Sequence, residues 1–193
     1  MALIRLAEID ELDGLPREVA ESGQAQYGQL LNTWRAIMNK PDMFGAYLPS
    51  LRQVAGPGVL DMKIKDLSAL YVGYLNHCRY TVSHRSTSGI KNGVSAEDMV
   101  AAVAGQWSDF DERTRAALAF TKELTVNPQE VEFGDLPQGV SPATVASVKS
   151  LFTDVEILEL SMSVSVWNAL SRFHRVMGFE LDMPEAPEGV NPK

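Results

Sequence analysis

The stretch 76-NHCRYTVSHRSTSGIKNG-93 holds the chain's only cysteine, Cys78, two of its three histidines, His77 and His84, and the arginines Arg79 and Arg85. Read as a helix, it places Cys78, Thr81 and Arg85 on one stripe and His77, Tyr80 and His84 on the next. The preceding residues, 61–75, repeat an apolar face through Ile64, Leu67, Leu70, Tyr71, Tyr74 and Leu75. The two segments therefore read as the arms of a buried helical hairpin. A break near Asn76 or His77 puts Cys78 in the first turn of the second arm, beside guanidinium charge, where thiols become reactive. The competing reading, a lone cysteine acting as a small buried hydrophobe, stays open. Gly93 closes the arm. Ser95 then caps a new helix, with Asp98 three residues on and Val94 and Met99 spaced as a hydrophobic staple.

Outward from the hairpin the pattern stays helical. Leu30, Leu31, Trp34, Ile37 and Met38 recur at helical steps and predict a helix over 24–39, stopped by Pro41. A second short helix carries Met43, Phe44, Tyr47, Leu48 and Leu51, with Pro49 a potential bend. Further helices are expected at 111–125 and 142–152, the latter opened by Pro142, with the longest loop, NPQEVEFGDLPQG, between them. The last helix, Asp154 to Met177, has two apolar stripes: Ile157, Leu160, Val164 and Trp167, and Leu158, Met162, Val166, Leu170 and Phe173. Two stripes call for cover on two sides, inside the subunit or at a subunit contact. The expected organisation is one all-α domain over 1–183, with amino-terminal helices at 24–54 and a core at 61–178. The end, 184–193, reads as a flexible tail from its Pro and Gly content.

Bulk properties narrow the function. The chain of 193 residues is 45% hydrophobic, enough for one well-buried core. A net charge of −8 with no long basic run argues against nucleic acid as a partner. No window reaches the about 18 continuous apolar residues of a membrane span, and the amino terminus is acidic where a secretory signal would be apolar. A cytosolic protein is expected. One cysteine excludes an internal disulfide and a cysteine-based zinc cage. His77 and His84 lie about 10 Å apart along one straight helix, too far to share a metal. His174, between Arg172 and Arg175, reads as a satisfied or solvent-facing imidazole, so no metal site and no cofactor are expected.

Asp66 stands twelve residues before Cys78, C-R-Y-T-V-S-H-R spans 78–85, and Gly93-Val94-Ser95 follows at a set distance. This arrangement resembles the core pattern of the carboxymuconolactone decarboxylase and alkylhydroperoxidase D-like (AhpD-like) superfamily. The pattern there is an acidic residue, C-x-Y-C-V-x-x-H twelve residues on, then Gly and a capped helix. The closing stretch VWNALSRFHRVMG, with Asn168 and Arg172, is similar to that family's last helix, and the resemblance covers roughly 41–178. It implies an AhpD-like helical bundle assembled as a homo-oligomer, a dimer, trimer or hexamer. In the peroxidase-type members two cysteines form the redox couple while a glutamate and a histidine relay the proton. Here Cys78 matches the first cysteine, Thr81 the second, Asp66 the glutamate and Arg85 the histidine, with His84 one residue earlier. Cycling of a disulfide within one chain is therefore lost, and Arg85, which cannot deprotonate, can hold an anion but cannot act as a base.

The function expected from this pattern is decarboxylase- or lyase-like proton transfer on a small organic acid. Asp66, Cys78, Tyr80 and His84 are the catalytic candidates, and Arg85, Thr81 and His77 the substrate-contact candidates. The alternatives are a thiol peroxidase-like protein with a single redox cysteine, and a non-catalytic remnant that kept the fold.

Overall fold

The computed structural model describes residues 2–192, which are helical with no strand. After a 3₁₀ turn at Ile9–Glu11 come α1 Gly14–Tyr27, α2 Asn32–Ile37, α3 Pro41–Ala55, α4 Met62–Leu75, α5 Arg79–Lys91, α6 Ala96–Ala104, α7 Glu112–Glu130, α8 Pro142–Leu151 and α9 Asp154–Met177.

The helix starts follow from side chains that accept otherwise orphaned backbone N–H groups. Asp61, Ser95, Asp111, Ser141 and Thr153 cap α4, α6, α7, α8 and α9, and Thr153 with Glu156 completes a capping box. Helix α4 is the centre: every residue from Ile64 to Gly73 is buried. It packs on α5, α7, α9 and α6. One cluster joins Ile64, Ala69 and Val72 of α4 to Ala117 and Phe120 of α7 and Leu160, Val164 and Trp167 of α9. A second joins Leu67, Leu70 and Tyr71 to Val82, Met99 and Leu118. The amino-terminal helices form a third, around Trp34, Ile37, Phe44 and Leu48, and lie over one end of the α5–α9 pair.

Three expectations are corrected. The helix expected over 24–39 is two helices, α1 starting at Gly14 and α2 at Asn32, because Gly28 takes a left-handed conformation (φ 76°) and ends α1. Helix α7 continues through Pro128 to Glu130, which shortens the expected 127–139 loop. Helix α3 likewise runs through Pro49. The carboxyl-terminal segment is packed: Ala186 and Val190 are 8% and 0% exposed and join the second cluster. Ser83 Oγ donates to the carbonyls of Met183 and Pro184, and Arg79 pairs with Glu185. A Pro- and Gly-rich composition lowers helix content without preventing this docking.

Candidate functional site

The hairpin turn sets the site. Helix α4 ends at Asn76, His77 is left-handed (φ 52°), and Cys78 is the N-cap of α5. The two arms approach closely at Gly73, where a Cβ would come within 2.9 Å of Thr81 Cγ2. Asn76 Nδ2 donates to Asn168 Oδ1 (2.9 Å), tying the turn to α9; Arg172 on that helix is exposed.

A cavity of about 120 Å³ opens between α5, α9 and the amino-terminal helices. Its apolar wall includes Leu31, Trp34, Leu48, Leu51 and Leu170, and its polar side includes Thr33, Tyr80, His84, Arg85, Ser88 and His174. His84 Nε2 meets Asp182 Oδ1 at 2.5 Å, and Tyr80 Oη donates to Asp182 Oδ2 at 2.6 Å. The backbone N–H of Asn32 also donates to this carboxylate. Burial raises the Asp182 carboxyl, but the His84 bond and charge, with Tyr80 and Asn32, outweigh it and hold it below the ordinary range. Burial, followed by the Asp182 charge, pushes the Tyr80 hydroxyl well up, so it stays a neutral donor.

Arg85 is 8% exposed. Its Nη1 donates to Asp66 Oδ1 (3.3 Å), and its guanidinium lies 4.4 Å from the Trp167 ring centroid. Burial lowers its pKa while Asp66 opposes the shift, yet a guanidinium stays charged at neutral pH. Asp66 also accepts from Asn92 Nδ2 and is 2% exposed. Beneath the cavity, Thr81 Oγ1 donates to Cys78 Sγ (3.2 Å), accepts from Ser171 Oγ (3.1 Å) and meets His174 Nδ1 (2.9 Å). His174 Nε2 meets Thr33 Oγ1 at 3.1 Å. Burial and then the His84 charge push His174 down to about 3.

Of the seven residues singled out in the sequence, Tyr80, His84 and Arg85 line the cavity. Asp66, Cys78, Thr81 and His77 do not line it. Asp66 is behind Arg85, with both oxygens occupied by Arg85 and Asn92. Cys78 is 2% exposed, and Thr81 is sealed between it and His174. His77 is turned to the surface by its left-handed backbone and borders a groove with Arg172 and Arg175. Sequence reasoning missed Asp182 and the central place of His174. A signal existed for His174: it continues the buried stripe Leu160, Val164, Trp167, Ser171 at alternating steps of four and three. Asp182 has none, because it follows the last helix in an irregular segment. Among the described residues, no group of three or more His, Cys, Asp or Glu side chains could hold a metal ion, and no helix is long and apolar enough to cross a membrane.

The all-helical architecture matches the AhpD-like fold. Residues 41–123 match the sequence profile of the Carboxymuconolactone decarboxylase family. That family includes enzymes. The fold is similar to that of an alkylhydroperoxidase AhpD core, an uncharacterized peroxidase-related protein from Ralstonia eutropha JMP134. The two are 18% identical over 100% of this chain and 98% of the other, with a TM-score of 0.77. It is similar to the debrominase Bmp8 at 19% identity over 97% and 95% of the chains, TM-score 0.77. A peroxidase-related protein from Silicibacter sp. TM1040 is 18% identical over 99% and 95%, TM-score 0.72. No curated protein sequence matches the chain. His174 and Asp182 lie beyond the matched residues 41–123.

Proposed function

We propose that this protein is a decarboxylase- or lyase-like enzyme that moves a proton on a small organic acid. The observation that carries this reading is that His84 and Arg85, neighbours in the sequence, line one cavity with opposite chemistries. Arg85 is a permanent cation held by Asp66 and supplies the carboxylate contact. His84 gives Nε2 to Asp182, which leaves Nδ1 to take or give a proton in the cavity. Asp182 fixes that tautomer and balances the imidazolium. In decarboxylation the electron pair stays on carbon as carbon dioxide leaves, and the proton on His84 Nδ1 fills it. In the reverse sense His84 removes a proton and the pair expels a leaving group.

A thiol reading has one observation in its favour, the polar chain from Cys78 through Thr81 to His174 at the cavity wall. Against it, Cys78 lies outside the cavity and Thr81 provides no resolving thiol. The test is proton NMR in deuterated water over a panel of small monocarboxylic acids. Turnover or deuterium incorporation is expected with the natural chain and with Cys78→Ser, and a loss of at least about 100-fold with His84→Gln. Peroxide consumption with dithiothreitol that depends on Cys78 and persists in His84→Gln overturns the proposal in favour of the thiol reading. No turnover of either kind leaves a non-catalytic binding protein.

A further inference from the structure

A second cavity, of about 230 Å³, adjoins the one described above, and Tyr27, His84, Arg85 and Ser88 line both. These four residues form a neck between an inner and an outer compartment. The inner one is walled by Leu31, Leu48, Leu51 and Leu170. The outer one mixes Met62 and Met183 with Gln26, Thr87, Lys91 and Asn92, and the last two are exposed at the surface. No carboxylate side chain lines either compartment, in a chain with 25 Asp and Glu residues. Asp66 and Asp182 stand behind Arg85 and His84, bonded to them. A path lined by cations and free of carboxylates favours an anion.

The polar groups of the neck have unused hydrogen-bonding capacity within reach of a ligand. Of the Arg85 nitrogens, Nη1 donates to Asp66 and Nε is buried, while Nη2 is not sealed and has no partner among the described residues. The hydroxyls of Tyr27 and Ser88 make no hydrogen bond with any described residue; both side chains are half-buried and neither hydroxyl is sealed. Ring contacts hold Tyr27 in place: its edge-to-face contact with Trp34 has centroids 5.4 Å apart, and Lys91 Nζ lies 5.7 Å from its own centroid. Its phenol is near enough to Arg85 to enter the electrostatics of that guanidinium. Guanidinium and hydroxyl donors side by side suit an acceptor-only group, and a carboxylate can accept from all three. The leucine wall beyond the neck suits an apolar body.

We propose that the neck is the carboxylate subsite, with Arg85 Nη2, Tyr27 Oη and Ser88 Oγ donating to the acid group of the substrate while its apolar body fills the inner compartment. Tyr27 is then a specificity-determining residue supplied by α1, outside the matched residues 41–123. This rests on the small-organic-acid reading above and adds two contacts to that of Arg85.

Saturation-transfer NMR titration of the whole chain tests it, with butyrate as the probe and butyramide as its neutral analogue. Butyrate is expected to bind at least about tenfold more tightly than butyramide. Tyr27→Phe keeps the ring on Trp34 and removes only the hydroxyl; it is expected to weaken butyrate about fivefold or more, and butyramide by less. The melting temperature of the free variant should not change, because that hydroxyl has no partner in the chain to lose. Ser88→Ala is the second variant, with the same signs, should Tyr27→Phe fail to fold. Arg52, the other arginine of the inner compartment, reaches Ser22 Oγ at 3.4 and 3.5 Å and marks the competing location for the acid group. Affinity lost in Arg52→Gln but kept in Tyr27→Phe and Ser88→Ala overturns the proposal, as does equal binding of butyrate and butyramide, or no butyrate binding. Butyrate binding that depends on Tyr27, with no proton exchange in any acid, supports the neck and overturns the catalytic reading alone. Proton exchange whose KM is unchanged in Tyr27→Phe and Ser88→Ala does the reverse.

Discussion

At the scale of the residue, His174 is a buried imidazole whose protonation links folding to pH. Held down to about 3 against an ordinary 6.5 by burial and the His84 charge, it stays neutral in the folded chain while an unfolded chain would protonate it. The unfolded state therefore binds the extra proton between those values, and stability is full above 6.5 and falls as pH drops through that window. Urea denaturation between pH 6.5 and 5 should show up to about 1.4 kcal/mol lost per pH unit from this group. That slope should flatten in His174→Gln. The depressed carboxyls of Glu123, Glu156, Glu159 and Asp182 act in the same direction but at lower pH, since their ordinary values are 4.5 and 3.8. A slope unchanged by the substitution would mean that His174 is protonated in the folded state. Part of this residue-level picture is legible in the sequence. The break near Asn76 puts Cys78 at the head of α5 because a polar turn interrupts an apolar arm. That Cys78 faces Thr81 and α9, away from the cavity, depends on a helix some 90 residues further along the chain.

At the scale of the element, two clasps hold the cavity wall. Glu159 on α9 accepts the backbone N–H groups of Val59 and Leu60 and the Nζ of Lys65, pinning the segment between α3 and α4. Lys65 is 2% exposed and its other acceptor is the Gly56 carbonyl. Glu159→Gln would leave this buried ammonium without its counter-charge, and a loss of about 3 kcal/mol in denaturant unfolding is expected. A loss below about 1 kcal/mol would show that Lys65 reaches solvent. The second clasp is the segment after Gly178, whose Asp182 gathers Tyr80, His84 and the Asn32 backbone. Helix α9 is readable to its ends, from the Thr153 and Glu156 capping box to Gly178. The α1–α2 break is not, because Leu30 and Leu31 continue the apolar spacing across Gly28 and conceal it.

At the scale of the whole molecule, the chain's apolar surface bears on assembly, and we propose a homo-oligomer. The residues expected from the apolar stripes to supply the contact are Val164, Trp167 and Leu170 with the hairpin around Tyr71 and Tyr74; the first three are 0%, 6% and 7% exposed within one chain, Tyr71 is 4% exposed and Tyr74 is half-buried. They build the subunit core, so Trp167→Glu is expected to unfold the chain. The face of α9 left open carries Val155, Leu158 and Met162, at 50%, 61% and 46% exposed. A neighbouring subunit is expected to cover it. Light scattering after gel filtration at micromolar concentration should give a mass of two or more chains. Leu158→Glu should lower that mass with little change in melting temperature. A single-chain mass for the natural protein would overturn this.

The sequence by itself determines the all-helical class, most helix boundaries, the hairpin with Cys78 at its turn, and the placing of Tyr80, His84 and Arg85 on one helix. Caps, glycine stops and apolar periodicity are local rules, readable within a few residues. Tertiary structure alone decides which of those side chains share a cavity. The Arg85 counter-charge comes from α4, the His84 partner from Asp182 in the irregular segment after α9, and the Thr81 partner from His174 on α9. Each of these contacts joins residues 19 to 98 positions apart. The same cause explains the tail: burial of Ala186 and Val190 against α4, α5 and α6 offsets the conformational entropy that its Pro and Gly content implies.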